Sequence, residues 1–210
     1  MIQALLFDLD NCLAAADETG RDHFRPAFDA ITAACLGTHS PAQLAAAFED
    51  TWVHAFDWVA RRHGFTDAMY QAGFEELREA VVPRPMRGYG DLHVLGELDR
   101  PMYLVTAGFP NLQWSKLRML GIADRFEQVI IDAVDDPNRV GKQRHFESIL
   151  IEHGYSVDAV LVVGDNPHSE LEAGRRMGAK TVQTLRPGVE RSPLETYHIS
   201  HLEELKLLLN

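Results

Sequence analysis

The chain has 210 residues, 46% of them hydrophobic, which suffices for one globular domain or for a core domain with an insertion. No run approaches the ~20 consecutive apolar residues that span a bilayer, so we expect no transmembrane segment. The formal net charge of -11 disfavours nucleic acid and anionic membranes as partners, because both bind clustered lysine and arginine.

The N-terminus and the cysteines bear on the compartment. The opening MIQALLFDLD has no basic residue before its apolar run and acids directly after it, which is unlike a secretory signal. The two cysteines, Cys12 and Cys35, do not suggest a disulfide framework. We therefore predict a cytoplasmic protein.

Short apolar runs alternate with helical segments that stop at glycine. The predicted strands are residues 2–7, 102–105, 128–131, 160–163 and 180–184. The predicted helices between the later strands are residues 111–120, 145–153 and 170–177. A last helix is predicted to begin at Ser200, with Glu203 as its capping-box partner. Strand alternating with helix predicts an α/β fold with a doubly wound parallel sheet.

Residues 14–85 interrupt this alternation, because they contain no strand-like run and are rich in alanine and aromatic residues at helical spacing. A helix start at residues 40–43 and an apolar stripe through Trp52 and Phe56 predict one helix that ends at Gly64. Prolines and glycines at residues 83–90 are typical of a linker. We predict an α/β core of residues 1–13 and 88–210, with residues 14–87 as an inserted α-helical cap.

Two carboxylates, Asp8 and Asp10, stand at the end of the first predicted strand, where parallel strands deliver residues to a ligand crevice. Two acids on one side of a strand repel each other unless a cation lies between them. Magnesium prefers such hard oxygen ligands. The pair alone is equally compatible with one acid that caps a turn and one that is solvated.

The other strand ends add polar groups. Thr106 and the backbone amides beside it are suited to an oxyanion, although a threonine after a strand is more often a turn residue. Lys142 begins a helix and is able to neutralise a phosphate. Asp165 is a candidate third metal ligand. Glu170 lies in the first turn of a helix predicted to be capped by Ser169 with Glu172, where an acid is also favourable for structural reasons alone.

Four segments carry a family resemblance. FDLDNCL (residues 7–13), LVTAG (104–108), VGK (140–142) and VVGDNPHSELEAGRRMGA (162–179) follow the order of the four motifs of the haloacid dehalogenase superfamily. The resemblance covers essentially the whole chain, and the helical insertion resembles that superfamily's first type of cap. It implies that Asp8 is the nucleophile and Asp10 the acid/base. The pattern departs from the common one at Cys12 and Glu170.

The resemblance also implies a phosphate site and a Mg²⁺ site. Thr106, Ala107 and Lys142 are the expected phosphoryl-binding residues. The expected metal ligands are Asp8, the backbone carbonyl of Asp10, Asp165 and Glu170, where Glu170 contacts Mg²⁺ directly or through a water. Members that resemble this chain are mostly phosphatases.

We therefore expect a magnesium-dependent phosphatase that hydrolyses a small phosphorylated metabolite through an aspartyl-phosphate, as a monomer or homodimer. A phosphomutase, a 2-haloacid dehalogenase and a non-catalytic binding protein stay open as alternatives. Asp10 and Asp165 disfavour the dehalogenase, which needs neither. The substrate is open; Arg21, His23 and Arg25 are candidate contacts.

Overall fold

A computed structural model describes residues 1–209 and contains one sheet of six parallel strands. The strands are β1 (Ala4–Phe7), β2 (Met102–Gly108), β3 (Gln128–Ala133), β4 (Val160–Gly164), β5 (Lys180–Thr184) and β6 (Tyr197–Ile199). Their order across the sheet is β3-β2-β1-β4-β5-β6, and each neighbouring pair is parallel. The predicted α/β class with a doubly wound parallel sheet is therefore confirmed.

Eight α-helices accompany the sheet in the described residues, together with short 3-10 turns. They are α1 (Arg25–Ala34), α2 (Pro41–Asp50), α3 (Phe56–His63), α4 (Asp67–Arg78), α5 (Pro110–Leu120), α6 (Lys142–His153), α7 (Glu170–Met177) and α8 (Leu205–Leu208). Gly121, Gly154 and Gly178 end α5, α6 and α7 in the left-handed conformation, as the sequence predicts. None of the helices within residues 1–209 has the length and apolar character needed to cross a bilayer.

Alternate residues of the strands bury the two faces of the sheet in separate apolar clusters. Leu5 and Phe7 of β1 pack on one face with Leu117 of α5. Leu6 packs on the other face with Phe146 of α6. Each such fully buried side chain stabilises the fold by ~1.5–3 kcal/mol relative to exposure. The result is a sheet whose strand ends are held rigidly.

The C-terminal region differs from the prediction. The short strand β6 was not predicted, because its three residues, of which Ile199 is buried and the other two are partly exposed, do not form an apolar run. The predicted helix from Ser200 with Glu203 as partner is wrong. A 3-10 turn and the one-turn α8 occur instead, and Glu204 accepts hydrogen bonds from the backbone N–H groups of Ser200 and His201 at 2.7 and 3.0 Å.

The segment before β2 is helical, but its predicted long helix is broken. The capping box at Ser40 and Gln43 forms, yet α2 ends at Asp50 and α3 begins at Phe56. Side chains bind backbone carbonyls at the end of α2 and in the break that follows. Thr51 Oγ1 donates to Phe48 O at 2.6 Å, and Asn11 and Asn166 from other loops donate to the carbonyls of residues 52 and 53. An apolar stripe does not reveal such contacts. The division into core and cap stays a prediction.

Packing within this helical segment generates one prediction. Gly73 lies in α4, and an added Cβ atom would be 2.6 Å from Phe56 Cζ and 2.7 Å from Ile31 Cδ1. Glycine to alanine in a helix normally stabilises by up to ~1 kcal/mol, whereas overpacking costs ~1–3 kcal/mol. We expect Gly73→Ala to lower the free energy of unfolding by ~1–2 kcal/mol, measured by urea titration.

The control is Gly90→Ala, because nothing lies within 4 Å of a Cβ added there. A Gly73→Ala protein with the wild-type free energy of unfolding would contradict this expectation. It would show that α1, α3 and α4 can move apart without a cost in stability.

Candidate active site

The chain places its predicted site residues where the strand order reverses. From β1 the sheet grows toward β2 and β3 on one side and toward β4, β5 and β6 on the other. Asp8 directly follows β1, Asp165 directly follows β4, and the Asp8 backbone N–H donates to Val163 O at 3.0 Å. Ligands bind such sheets in this crevice, outside the carboxyl ends of the strands.

A cavity of about 540 Å³ opens at this point. All seven predicted site residues line it: Asp8, Asp10, Thr106, Ala107, Lys142, Asp165 and Glu170. The structure therefore brings together the residues that the sequence singled out. Their chemical roles stay predictions.

Lys142, the first residue of α6, joins two of the acids. Its Nζ lies 2.8 Å from Asp8 Oδ1 and 2.9 Å from Glu170 Oε2. Carboxylate oxygens of Asp8, Asp165 and Glu170 all lie within 4.8 Å of one another, and all three residues are buried. Three buried carboxylates thus surround a space beside one ammonium group.

The pKa values of these three acids depend on burial, on their mutual repulsion and on the positive charge of Lys142. Burial, with Glu170 and Asp10 nearby, raises the pKa of Asp8 to about 7 even though Lys142 lowers it. Burial, together with Glu170 and Asp8, raises the pKa of Asp165 well above its usual range. Burial also acts on Glu170, but Lys142 outweighs it and lowers that pKa. One lysine therefore does not suffice to hold all three acids ionised.

A hydrogen bond from the backbone holds the Glu170 carboxylate in place. Its Oε1 accepts a hydrogen bond from the Asn166 N–H at 2.8 Å. Gly164 lies against its carboxyl group, and a Cβ on that glycine would overlap it. The predicted cap by Ser169 with Glu172 is wrong, because the Ser169 side chain makes no capping bond and Glu172 pairs with Arg176 at 2.6 Å.

Asp10 points to a different set of partners, which the sequence analysis missed. Lys116 Nζ donates to both carboxylate oxygens of Asp10 at 2.7 Å each. Gln113 Nε2 donates to Asp10 Oδ2 at 2.9 Å and lies 2.6 Å from Thr106 Oγ1. The available signal was a polar pair three residues apart on the otherwise apolar face of α5.

Two asparagines hold the break between α2 and α3 over the cavity. Asn11 Nδ2 donates to Trp52 O at 2.8 Å, and Asn166 Nδ2 donates to Val53 O at 3.3 Å. Asn11 has a φ of 57°, which turns the chain sharply after Asp10. The residues that follow two of the acids therefore bind the segment that covers them.

The candidate substrate contacts near the first motif lie elsewhere. Arg21, His23 and Arg25 do not line the cavity within the described chain. Arg21 instead pairs with Glu49 at 2.7 Å, and Arg25 lies 3.7 Å from Asp29. Their expected substrate contact is therefore wrong for this arrangement.

The cavity wall opposite the acids comes from the helical segment. Trp52 and Phe56 pack in its apolar cluster, as predicted, and also face the cavity. His54, Trp58 and Arg61 add polar and aromatic groups to the same wall. A ligand bound beside the acids would therefore contact this wall.

The raised pKa of Asp8 predicts how an amide in its place changes stability. Above pH about 7 the metal-free protein ionises Asp8 at a cost that the unfolded chain does not have. As pH falls from about 7 toward 3.8 the cost shrinks, because the folded protein already holds the proton. We expect Asp8→Asn in chelator to raise the free energy of unfolding by on the order of 2 kcal/mol at pH 8, and by less than half as much at pH 5.

The exposed Asp22 provides the control, since Asp22→Asn should give no pH-dependent difference from the wild type. An Asp8→Asn protein that is less stable than the wild type at pH 8 would contradict the expectation, because it would show that the ion pair with Lys142 outweighs the burial of the charge.

Comparison with known proteins is consistent with this geometry. A profile of the haloacid dehalogenase-like hydrolase family matches residues 2–178. Glyceraldehyde 3-phosphate phosphatase of Pyrococcus abyssi is 26% identical over 201 residues, which cover 87% of this chain and 81% of that protein. The match therefore covers most of both chains.

Solved structures share the fold. An HAD phosphatase from Thermococcus onnurineus superimposes with a TM-score of 0.66 at 22% identity, covering 100% of this chain and 98% of that one. The magnesium-bound putative HAD-hydrolase YfnB from Bacillus subtilis has a TM-score of 0.63 at 19% identity, covering 100% and 99%. Because the family match runs from the first strand to the end of α7, the chain belongs to the haloacid dehalogenase-like hydrolases.

Proposed function

We propose that this hydrolase is a magnesium-dependent phosphatase, which transfers the phosphoryl group of a small phosphorylated metabolite to Asp8 and then to water. The buried group of Asp8, Asp165 and Glu170 around Lys142 carries the proposal. The phosphatase name of the relative from Pyrococcus abyssi supports it. That relative's substrate makes a small phosphate ester the first class to test.

The residues at the site fit a magnesium ion. Their donors are carboxylate oxygens, which Mg²⁺ prefers, and they are close enough together to share one ion. The raised pKa values of Asp8 and Asp165 support the presence of a further positive charge when both acids are ionised. A bound Mg²⁺ would supply charge stabilisation to the non-bridging phosphoryl oxygens. Asp8, Asp165 and the Asp10 carbonyl would hold it, with Glu170 beside them.

In the first step an ionised carboxylate oxygen of Asp8 attacks phosphorus, and the bond from phosphorus to the leaving oxygen breaks. Lys142 is already in contact with Asp8, so its ammonium group lies where the phosphoryl oxygens arrive. Thr106 Oγ1 and the Ala107 N–H provide hydrogen bonds from the end of β2. This step leaves an aspartyl-phosphate on Asp8.

Asp10 handles the protons of both steps. Its carboxyl group donates a proton to the leaving oxygen, so that a neutral alcohol departs. The resulting carboxylate takes a proton from the water that attacks the phosphorus of the intermediate. Inorganic phosphate then leaves, and Asp8 is regenerated.

The function is tested by turnover of p-nitrophenyl phosphate and of a panel of phosphorylated metabolites with Mg²⁺. We expect Asp8→Asn to reduce turnover by at least ~10⁴-fold with the fold intact, because the nearly isosteric amide is not a nucleophile. Circular dichroism checks the fold, and Asp22→Asn should keep full activity. Released inorganic phosphate is the measured product, and its absence in favour of an isomerised phosphate ester would indicate a mutase.

Activity retained by Asp8→Asn would overturn the assignment of the nucleophile. Full phosphatase activity of the wild type in excess chelator would overturn the role of magnesium, and halide release from a 2-haloacid without any phosphatase activity would favour the dehalogenase alternative.

A separate prediction concerns Glu170, whose place beside the metal ligands the sequence left open. If Glu170 supports the ion directly or through a water, Glu170→Gln should raise the Mg²⁺ concentration for half-maximal activity by ~10-fold or more. Magnesium titration of the initial rate measures this.

The matched control is Glu172→Gln, which removes the same charge from the first turn of α7 but lies at the surface. It should leave the titration unchanged. If both variants raise the required Mg²⁺ concentration equally, the effect comes from the negative charge lost at the N-terminus of α7 and not from a contact of Glu170 with the metal.

A further inference from the structure

Lys116 of α5 is a buried lysine that the proposed chemistry does not use. Its side chain is 6% exposed, and its Nζ lies 2.7 Å from both carboxylate oxygens of Asp10. Within residues 1–209 the ammonium group forms no ion pair with any other acid. It is thus dedicated to one carboxylate.

Gln113, one turn earlier on α5, holds the same carboxylate from a second direction. Its Nε2 donates to Asp10 Oδ2 at 2.9 Å and is 2.6 Å from Thr106 Oγ1. Gly108 lies directly against the Gln113 side chain and limits its movement. A Cβ atom added at Gly108 would be only 3.1 Å from Gln113 Cγ and Cδ. Three hydrogen bonds therefore converge on Asp10 from a single helix.

Stability alone does not account for Lys116. Burying an ammonium group carries a desolvation penalty that an ion pair offsets only in part, and an apolar side chain of similar volume is often as stabilising or more so. Among the other buried residues of α5, Leu112 and Leu117 are apolar, and Gln113 and Ser115 are neutral side chains that form hydrogen bonds. A charge at this position therefore points to a function for the contact.

The Asp10 side chain needs such a contact. It is 24% exposed at the wall of a wide cavity, and without fixed partners a carboxylate there would rotate among several rotamers. Proton transfer requires hydrogen-bond distance to the reacting oxygen, so rotation would lower the rate.

We propose that Lys116 is a positioning residue, which together with Gln113 fixes the Asp10 carboxyl group toward the leaving oxygen of the substrate. The proposal rests on the proposed phosphatase function. Lys116 acts through Asp10 and does not contact the phosphoryl group. Its removal should therefore matter most where the leaving oxygen needs a proton.

Two aryl esters of similar size separate this role from a general loss of structure. Phenyl phosphate has a more basic leaving group than p-nitrophenyl phosphate and depends more on a proton donor. We expect Lys116→Met to lower kcat/KM for phenyl phosphate ~10-fold more than for p-nitrophenyl phosphate. The melting midpoint should stay within a few degrees of the wild type. Arg118→Met removes a charge from the exposed side of α5 and should change neither rate.

A double-mutant cycle tests whether Lys116 acts through Asp10. In an Asp10→Asn protein, adding Lys116→Met should change kcat/KM for phenyl phosphate by less than ~2-fold. Equal losses for the two esters, or a full further loss in the Asp10→Asn background, would overturn the proposal.

Crystal structures of the wild type and Lys116→Met give a readout that is independent of activity. The Asp10 carboxylate should leave its position in the variant, and an unchanged, ordered Asp10 would overturn the positioning role. A wild type that releases no phosphate, with Asp10 displaced in the variant, would overturn the phosphatase function while supporting the positioning role.

Discussion

The repulsion among three buried carboxylates is the constraint on which the site depends. Carboxylate oxygens of Asp8, Asp165 and Glu170 lie within 4.8 Å of one another, and in the described part of the chain Lys142 is the one cation that forms ion pairs with them, through Asp8 and Glu170. Such an arrangement is unfavourable by itself and persists because the surrounding fold is rigid. Apolar clusters on both faces of the sheet fix the ends of β1 and β4. The energy of packing thus holds together negative charge that a bound metal ion would compensate.

The sheet and the acids were predictable from the sequence because both follow from local patterns. Buried strands read as apolar runs, and polar residues directly after them reach the crevice, so Asp8, Asp165 and Thr106 were found from their positions. Gln113 and Lys116 were not, because a lysine on a helix usually extends into solvent. The break at Thr51 was missed for a related reason: it depends on partners that are distant in the chain, which no periodicity encodes.

The helical segment is joined to the acids by polar contacts rather than by packing alone. Asn11 and Asn166 bind carbonyls of the break between α2 and α3. Arg139 adds a bridge, since it lies 2.7 Å from Asp57 of α3 and 2.6 Å from Asp132 of β3. Such contacts form and break at little cost in apolar surface. They suit a wall that opens to admit a ligand and closes over it.

The two acids of the first motif form ion pairs with different lysines, which the sequence did not suggest. The chain turns at Asn11, and each acid is paired with a different lysine: Lys142 for Asp8 and Lys116 for Asp10. Separate partners suit the separate tasks proposed for the two acids, in which Asp8 attacks phosphorus and Asp10 exchanges a proton. The lysines come from α6 and α5, which pack on opposite faces of the sheet. The separation of the two ion pairs therefore follows from the doubly wound topology.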